Sequence, residues 1–230
     1  MFVMKQERPQ KYKHPKPLTF SELDKDIQER VERINDEFKR GFDFLKKNER
    51  SVTFFGSART RETEEDYIRA MRIARRVSNE LGYAVVTGGG PGIMQAANCG
   101  AADGKSVGLT IKLPSEQYTN SCVTDHMDFY YFFSRKVCLS FAAEAYVYFP
   151  GGFGTLDELF EILTLVQTNK IERLPIILVG EKYWKPLDKF IRKQLLKGEK
   201  IDEKDTDLYT ITDDENKILE MIKYAPIRRF

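Results

Sequence analysis

Near the middle of the chain, Pro150-Gly151-Gly152-Phe153-Gly154-Thr155-Leu156-Asp157-Glu158 brings glycines, a hydroxyl and carboxylates together. It follows Ala145-Tyr-Val-Tyr-Phe149, a β-branched and aromatic run, and leads into Leu156–Thr168, whose apolar positions 156, 159, 160, 163 and 166 recur at helical spacing. A strand, a glycine turn and a helix in that order present free backbone N–H groups and a positive helix end to an anion. Thr155 can cap the helix and donate to a phosphate oxygen. Glu158, one turn further in, reaches whatever that phosphate carries. The spacing Thr155-x-x-Glu158 also fits a capping box that merely satisfies the first N–H groups of the helix, so spacing alone leaves chemistry and structure level.

Other residues tip the balance. Phe129–Phe141 reads as an apolar helix, capped by Asp128, that carries two adjacent cations, Arg135 and Lys136. A cation in so apolar a helix snorkels to water or meets an anion. A bound ligand is one such anion; Glu144 or Glu158 is another, which would make the pair structural. Gly88-Gly89-Gly90-Pro91-Gly92 forms a second glycine loop, after the strand Tyr83–Thr87. It lacks the Gly-Lys-Ser/Thr ending of a Walker A loop. Ile93 stands where a dinucleotide fingerprint has its third glycine, so ordinary NAD binding is disfavoured.

The elements that must position these groups follow in alternation. Strands at 51–55, 83–87, 106–111, 145–149 and 174–179 alternate with helices at 64–81 (capped by Thr63), 93–102, 129–141 and 156–168, then one carrying Trp184 and Leu187 and a closing one at 213–224. That order predicts an α/β fold, a modified Rossmann arrangement with a doubly wound, mainly parallel sheet. Ligands of such sheets bind beyond the carboxyl ends of the strands, where Ser57 and both glycine loops converge. Residues 112–128 read as an irregular connection with a possible short strand near Val123. Ahead of the sheet, Leu23, Ile27, Val31, Ile34, Phe38, Phe42 and Leu45 mark an amphipathic helix within 19–48, with a capping signal at Ser21 and Asp24 and an interruption near Gly41. Residues 1–18 form a basic, proline-containing arm, leaving 19–230 as one nucleotide-binding domain.

Composition narrows the class. A formal net charge of +2 from nearly balanced acids and bases offers no electrostatic case for nucleic acid. Cys99, Cys122 and Cys138 are an odd number without metal-ligand spacing, and only His14 and His126 accompany them, so neither a disulfide framework nor a metal site is expected. No stretch has signal-peptide or membrane-spanning character, which makes the cytoplasm the default and a membrane partner unexpected.

Pro150-Gly-Gly-Phe-Gly-Thr-Leu-Asp-Glu158, with Arg135-Lys136 fifteen residues upstream of Pro150, strongly resembles the Lonely Guy family, cytokinin riboside 5′-monophosphate phosphoribohydrolases long mislabelled as lysine decarboxylases. The likeness runs from about residue 51 to 185. Ser57-Ala-Arg59, Leu113-Pro-Ser-Glu116-Gln and Gln167-Thr-Asn-Lys170 look more like its longer bacterial branch. The resemblance implies hydrolysis of the N-glycosidic bond of a nucleoside 5′-monophosphate, without a cofactor, in a homodimer. It makes Arg135 and Glu158 catalytic. It places Ser57, Gly89, Gly90, Glu116, Lys136, Gly151, Gly152, Phe153, Gly154, Thr155 and Thr164 at the substrate. A pyridoxal-dependent decarboxylase is disfavoured because no distinctive Schiff-base lysine stands out. The rival from another class is a non-catalytic nucleotide or molybdenum-cofactor carrier of similar fold.

Overall fold

The computed structural model describes residues 19–112 and 119–228. The basic arm and Glu116 lie outside the described residues. The chain divides into a first unit ending at Asp36 and a second, Glu37–Phe230, that contains the sheet. One helix, α1 (Phe20–Leu45), runs through the division without a break at Gly41. It is capped by Thr19, not by Ser21: the Thr19 hydroxyl accepts from the Glu22 N–H, and the Glu22 carboxylate accepts from the Thr19 N–H in return.

The second unit is built on seven strands: β1 (Ser51–Phe55), β2 (Ala84–Thr87), β3 (Ser106–Ile111), β4 (Asp125–Phe129), β5 (Ala145–Tyr148), β6 (Ile176–Leu178) and β7 (Thr210–Ile211). They lie in the order β4-β3-β2-β1-β5-β6-β7, and every pairing is parallel. The central strands read as near-continuous apolar runs because both faces are covered. Alternate side chains separate into two cores. Phe55, Val86, Leu109, Tyr146, Tyr148 and Leu178 pack with the end of α1, α4 (Phe132–Ser140), α5 (Phe153–Gln167) and Trp184 of α6 (Glu181–Phe190). Val52, Phe54, Val85, Val147, Phe149 and Ile177 pack with α2 (Glu65–Leu81), α3 (Ile93–Gly100) and α7 (Glu215–Lys223). This is the doubly wound sheet that the alternation predicts. The cap of α2 is Glu64, one residue past the predicted Thr63.

Three further expectations fail. Phe129 belongs to β4, not to a helix, and α4 starts only at Phe132 behind Tyr131. Asp128 is therefore a strand residue and not the cap of α4; its carboxylate accepts from the Thr110 hydroxyl of the neighbouring strand. The connection ends in an edge strand that starts two residues past the short strand expected near Val123, and its exposed Asp125 and His126 hide the alternation that buries Met127 and Phe129. Second, Glu144 is no partner for the cations of α4. It is buried where β1 and β5 begin, accepting from the Ser51 N–H at 2.7 Å and pairing with Arg228 at 3.3 Å. Third, Cys99 and Cys122 form a disulfide, with Cα atoms 4.8 Å apart. Their spacing of 23 gave no motif, because the contact is made by folding the β3–β4 connection back over α3.

No helix among the described residues is long and apolar enough to cross a membrane. The bond from Cys99 to Cys122 closes a loop around β3, so reduction, or Cys122→Ser, is expected to lower unfolding free energy by about 2–4 kcal/mol. Denaturant melts with and without a thiol reductant measure it; coincident curves in which the oxidised state of the pair has been verified would count against it.

Candidate active site

The chain steps outward from β1 to β2, β3 and β4, then crosses to the other side of β1 to lay down β5, β6 and β7. β1 and β5 therefore part at a topological switch point, the place where such sheets open a crevice. The two strand ends are tied together where they part, the Ser57 N–H donating to the Pro150 carbonyl at 3.0 Å. A third element closes in at Gly92, whose φ of +68° and lack of a Cβ let the start of α3 press against the Ser57 carbonyl. Ile93 N–H donates to that carbonyl at 3.0 Å.

The crevice has a volume of about 560 Å³ and is lined by Phe55–Arg59, Gly88, Met94, Arg135, Gly152–Thr155 and Glu158. One rim is the amino end of α5. Gly152 is the cap residue and contributes no side-chain cap, so the first amides of α5, whose residues line the crevice, have no side-chain acceptor from it. Thr155 is not the cap. It lies inside the first turn, buried, with its hydroxyl against the Cα of Gly151, where a side chain would collide with it. The capping-box reading of Thr155 and Glu158 is thereby corrected. The Gly151 carbonyl turns outward to accept from the Tyr183 hydroxyl at 2.6 Å.

Arg135 reaches the crevice from the first turn of α4. Its Nε donates to the Leu109 carbonyl at 2.7 Å and its Nη2 to the Gly88 carbonyl at 3.4 Å. Both acceptors are neutral main-chain groups, one within β3 and one just past β2, and no carboxylate of a described residue pairs with the guanidinium. Burial lowers the Arg135 pKa, and the charge of Glu158 partly offsets that. A guanidinium has so much margin that it stays protonated. Glu158 is the opposite case. Burial pushes its carboxyl up from 4.5 to about 7, against the lowering influence of Arg135 and Lys136. It makes no ion pair with a described residue, so the acid is held ready by its surroundings and not clamped.

The structure brings together Ser57, Arg135, Gly152, Phe153, Gly154, Thr155 and Glu158 of the residues singled out above. Others stand apart. Gly89 and Gly90 lie behind the wall, their carbonyls accepting from the Asn120 side chain at 3.1 and 3.0 Å, while Gly88 lines the crevice. Lys136 is held by Asp157 at 2.6 Å and Glu161 at 3.1 Å. Thr164 donates to the Phe160 carbonyl and borders a separate cleft with Gln167 and Leu195. Sequence reasoning passed over Met94 and Arg59, which line the crevice, and Asn120, which braces its wall. Asn98 joins that brace, its Oδ1 accepting from Asn120 at 3.0 Å and from the Thr87 hydroxyl at 2.6 Å. No short motif marks these residues, because the contacts join loops well separated in the chain.

Residues 92–222 match the protein family described as possible lysine decarboxylase. The chain belongs to that family. The matched span takes in Arg135 and the whole of Pro150–Glu158. Among relatives, a pyrimidine/purine nucleotide 5′-monophosphate nucleosidase of Escherichia coli K12 is 33% identical over 137 residues, covering 51% of this chain and 30% of that protein. A cytokinin riboside 5′-monophosphate phosphoribohydrolase of Arabidopsis thaliana is 38% identical over 65 residues, 28% of this chain and 30% of that protein. The aligned part is thus less than a third of either relative's length. Among solved structures, the molybdenum cofactor carrier protein of Chlamydomonas reinhardtii superposes with a TM-score of 0.57 at 19% identity, covering 76% of this chain and 96% of that one. The molybdenum cofactor binding protein of Rippkaea orientalis gives 0.52 at 22%, covering 75% and 93%. Those two likenesses establish the fold.

A raised carboxyl pKa is also a statement about stability. Between pH 4.5 and 7 the folded state holds the Glu158 proton and the unfolded state releases it, so stability falls as pH rises through that window and stays lower above it. Glu158→Gln is expected to raise unfolding free energy at pH 8 by about 1–3 kcal/mol and to give no gain below pH ~4. Denaturant melts at the two pH values check both halves.

Proposed function

We propose that the protein hydrolyses the N-glycosidic bond of a nucleoside 5′-monophosphate, releasing the free base and ribose 5-phosphate. The observation that carries this reading is the crevice that joins the amino end of α5, a buried arginine bound to main-chain carbonyls and to no carboxylate of a described residue, and a carboxyl with a pKa of about 7. The phosphate sits on the Gly152–Thr155 amides, where the helix end favours a dianion. Glu158 lies four residues past Gly154, roughly 6 Å along the axis, which suits the reach from a 5′-phosphate to C1′ of the same ribose. As the C1′–N bond breaks, positive charge builds on the sugar, and ionised Glu158 stabilises it. The same carboxylate orients the attacking water and takes its proton. Arg135, on the opposite wall, stabilises negative charge developing on the departing base; it is too weak an acid to serve as a proton donor. Phe55 and Met94 offer apolar surface to the base. The names of the relatives support the same substrate class. None of the described residues lining the crevice is a lysine, which leaves pyridoxal Schiff-base chemistry without its attachment point.

We place the reaction in the cytoplasm and in a homodimer. Tyr130, Phe132, Phe133 and Phe160, exposed on and beside α4 and α5, supply an apolar surface for a second copy. The positions of Lys136 and Thr164 outside their own crevice suit a role across that contact.

Incubation with AMP, and separately with its N6-isopentenyl analogue, followed by chromatography, is expected to yield free base and ribose 5-phosphate. Glu158→Gln should lower kcat by about 10²–10³-fold. Adenosine, which lacks the anchoring phosphate, should lose at least about 10²-fold in kcat/KM. Because ionised Glu158 is the working form, kcat/KM should climb with pH through a midpoint near 7 and level off above it. A wild-type protein that binds such nucleotides tightly and cleaves none would be a carrier.

A further inference from the structure

Arg135 owes its place to the start of α4, and the start of α4 has an unusual anchor. Tyr131, its cap residue, provides no side-chain cap. The groups there are instead gathered by Glu37, a residue of α1 nearly a hundred positions earlier that is only 2% exposed. One Glu37 oxygen accepts from the Tyr130 N–H; the other accepts from the Tyr131 N–H at 3.4 Å and from the Ser134 hydroxyl. A buried carboxylate satisfied in this way is the favourable partner for a positive helix end. The next residue, Arg135, closes the first turn by donating its own N–H to the Tyr131 carbonyl at 3.2 Å. One turn further along both helices the contact is repeated sterically. A Cβ on Gly41 would stand 2.5 Å from the Cys138 sulfur and 3.3 Å from the Phe129 ring, so a larger residue there would press on both side chains.

We propose that Glu37 is a positioning residue: its buried carboxylate fixes where α4 begins, and so holds the Arg135 guanidinium across the crevice from Glu158. The proposal rests on the nucleosidase reading of that crevice. It gives the end of α1 a task in the chemistry, although α1 supplies no residue to the crevice lining. Loss of the anchor lets the first turn of α4 fray or slide, and a displacement of about 1 Å at a catalytic group costs on the order of 10²-fold in rate.

The test compares wild type with Glu37→Gln, Glu37→Asp and Ser134→Ala in the full chain, using AMP hydrolysis from pH 5 to 9. Glu37→Gln is expected to lower kcat by about ten- to a hundredfold while KM stays within about threefold. Glu37→Asp, which keeps the charge, should recover part of the loss, and Ser134→Ala should show a smaller loss of the same kind. The pH midpoint separates positioning from mere stability. Glu158 is held down by Arg135 and Lys136 of α4, held up by Asp157 and Glu161 of α5, and faced by the Tyr148 phenol of β5. Retreat of Arg135 removes the strongest lowering charge, so the midpoint in Glu37→Gln should move upward by about half a unit or more. Folded Glu37→Gln with unchanged kcat and unchanged midpoint overturns the proposal. If Glu37→Gln fails to fold, the same two readings on Ser134→Ala and Glu37→Asp decide it. If wild type cleaves nothing, the nucleosidase reading falls. Amide exchange across residues 130–136, together with AMP affinity, then decides for Glu37: faster exchange with weaker binding upholds it, and no change in either refutes it.

Discussion

Everything in the crevice depends on keeping a full positive charge buried with no carboxylate of a described residue paired to it. Arg135 is held by the Leu109 and Gly88 carbonyls, which take up part of its hydrogen-bonding capacity and leave its charge free to act. Had it met Glu158 in a direct ion pair, the carboxyl would have been driven far below neutrality and both groups spent on each other. Instead burial dominates at Glu158, and its pKa rises to about 7. The two groups feel one another across the space a substrate would enter. That arrangement costs stability, as sites poised for chemistry commonly do.

The sheet makes this possible by geometry more than by sequence identity. Leu109 lies within β3 and Gly88 follows β2, both on one side of β1, while Pro150–Thr155 follow β5 on the other side. A parallel sheet sends all these ends in one direction, so carbonyl acceptors for the cation and N–H donors for an anion arrive at the same rim. The Thr87–Asn98–Asn120 contacts and the Cys99–Cys122 bond stiffen the back of one wall. Tyr183 restrains the other through Gly151. The Thr87–Asn98–Asn120 contacts are buried polar contacts whose loss would leave groups unsatisfied, so they favour one arrangement of the loops over its neighbours.

Local chemistry was legible in the sequence wherever period and punctuation agree. The doubly wound sheet and the helix that follows the glycine turn come from apolar runs and glycine punctuation, whereas Arg135 and Glu158 at one site were implied by the resemblance to the Lonely Guy family. What escaped was set by tertiary contact. Thr155 has the spacing of a cap, yet the chain enters α5 at Gly152 and buries the hydroxyl against Gly151. Asp128 precedes an apolar run that reads as helix, yet pairing with β3 claims residues through Phe129 as strand. Glu37 is one acid among many on a charged helix, and only the fold shows that it alone is sealed against the start of α4. The partnership of Cys99 with Cys122 was hidden for the same reason.

The central claim is that a phosphate on the first amides of α5 sets the glycosidic bond between Arg135 and Glu158. It is tested most directly by a crystal structure of Glu158→Gln with AMP bound. The account predicts the phosphate within hydrogen-bond reach of the Gly152–Thr155 amides, the ribose C1′ beside residue 158, and the base towards Arg135. A phosphate seated elsewhere, or a nucleotide whose C1′ lies remote from residue 158, would contradict it.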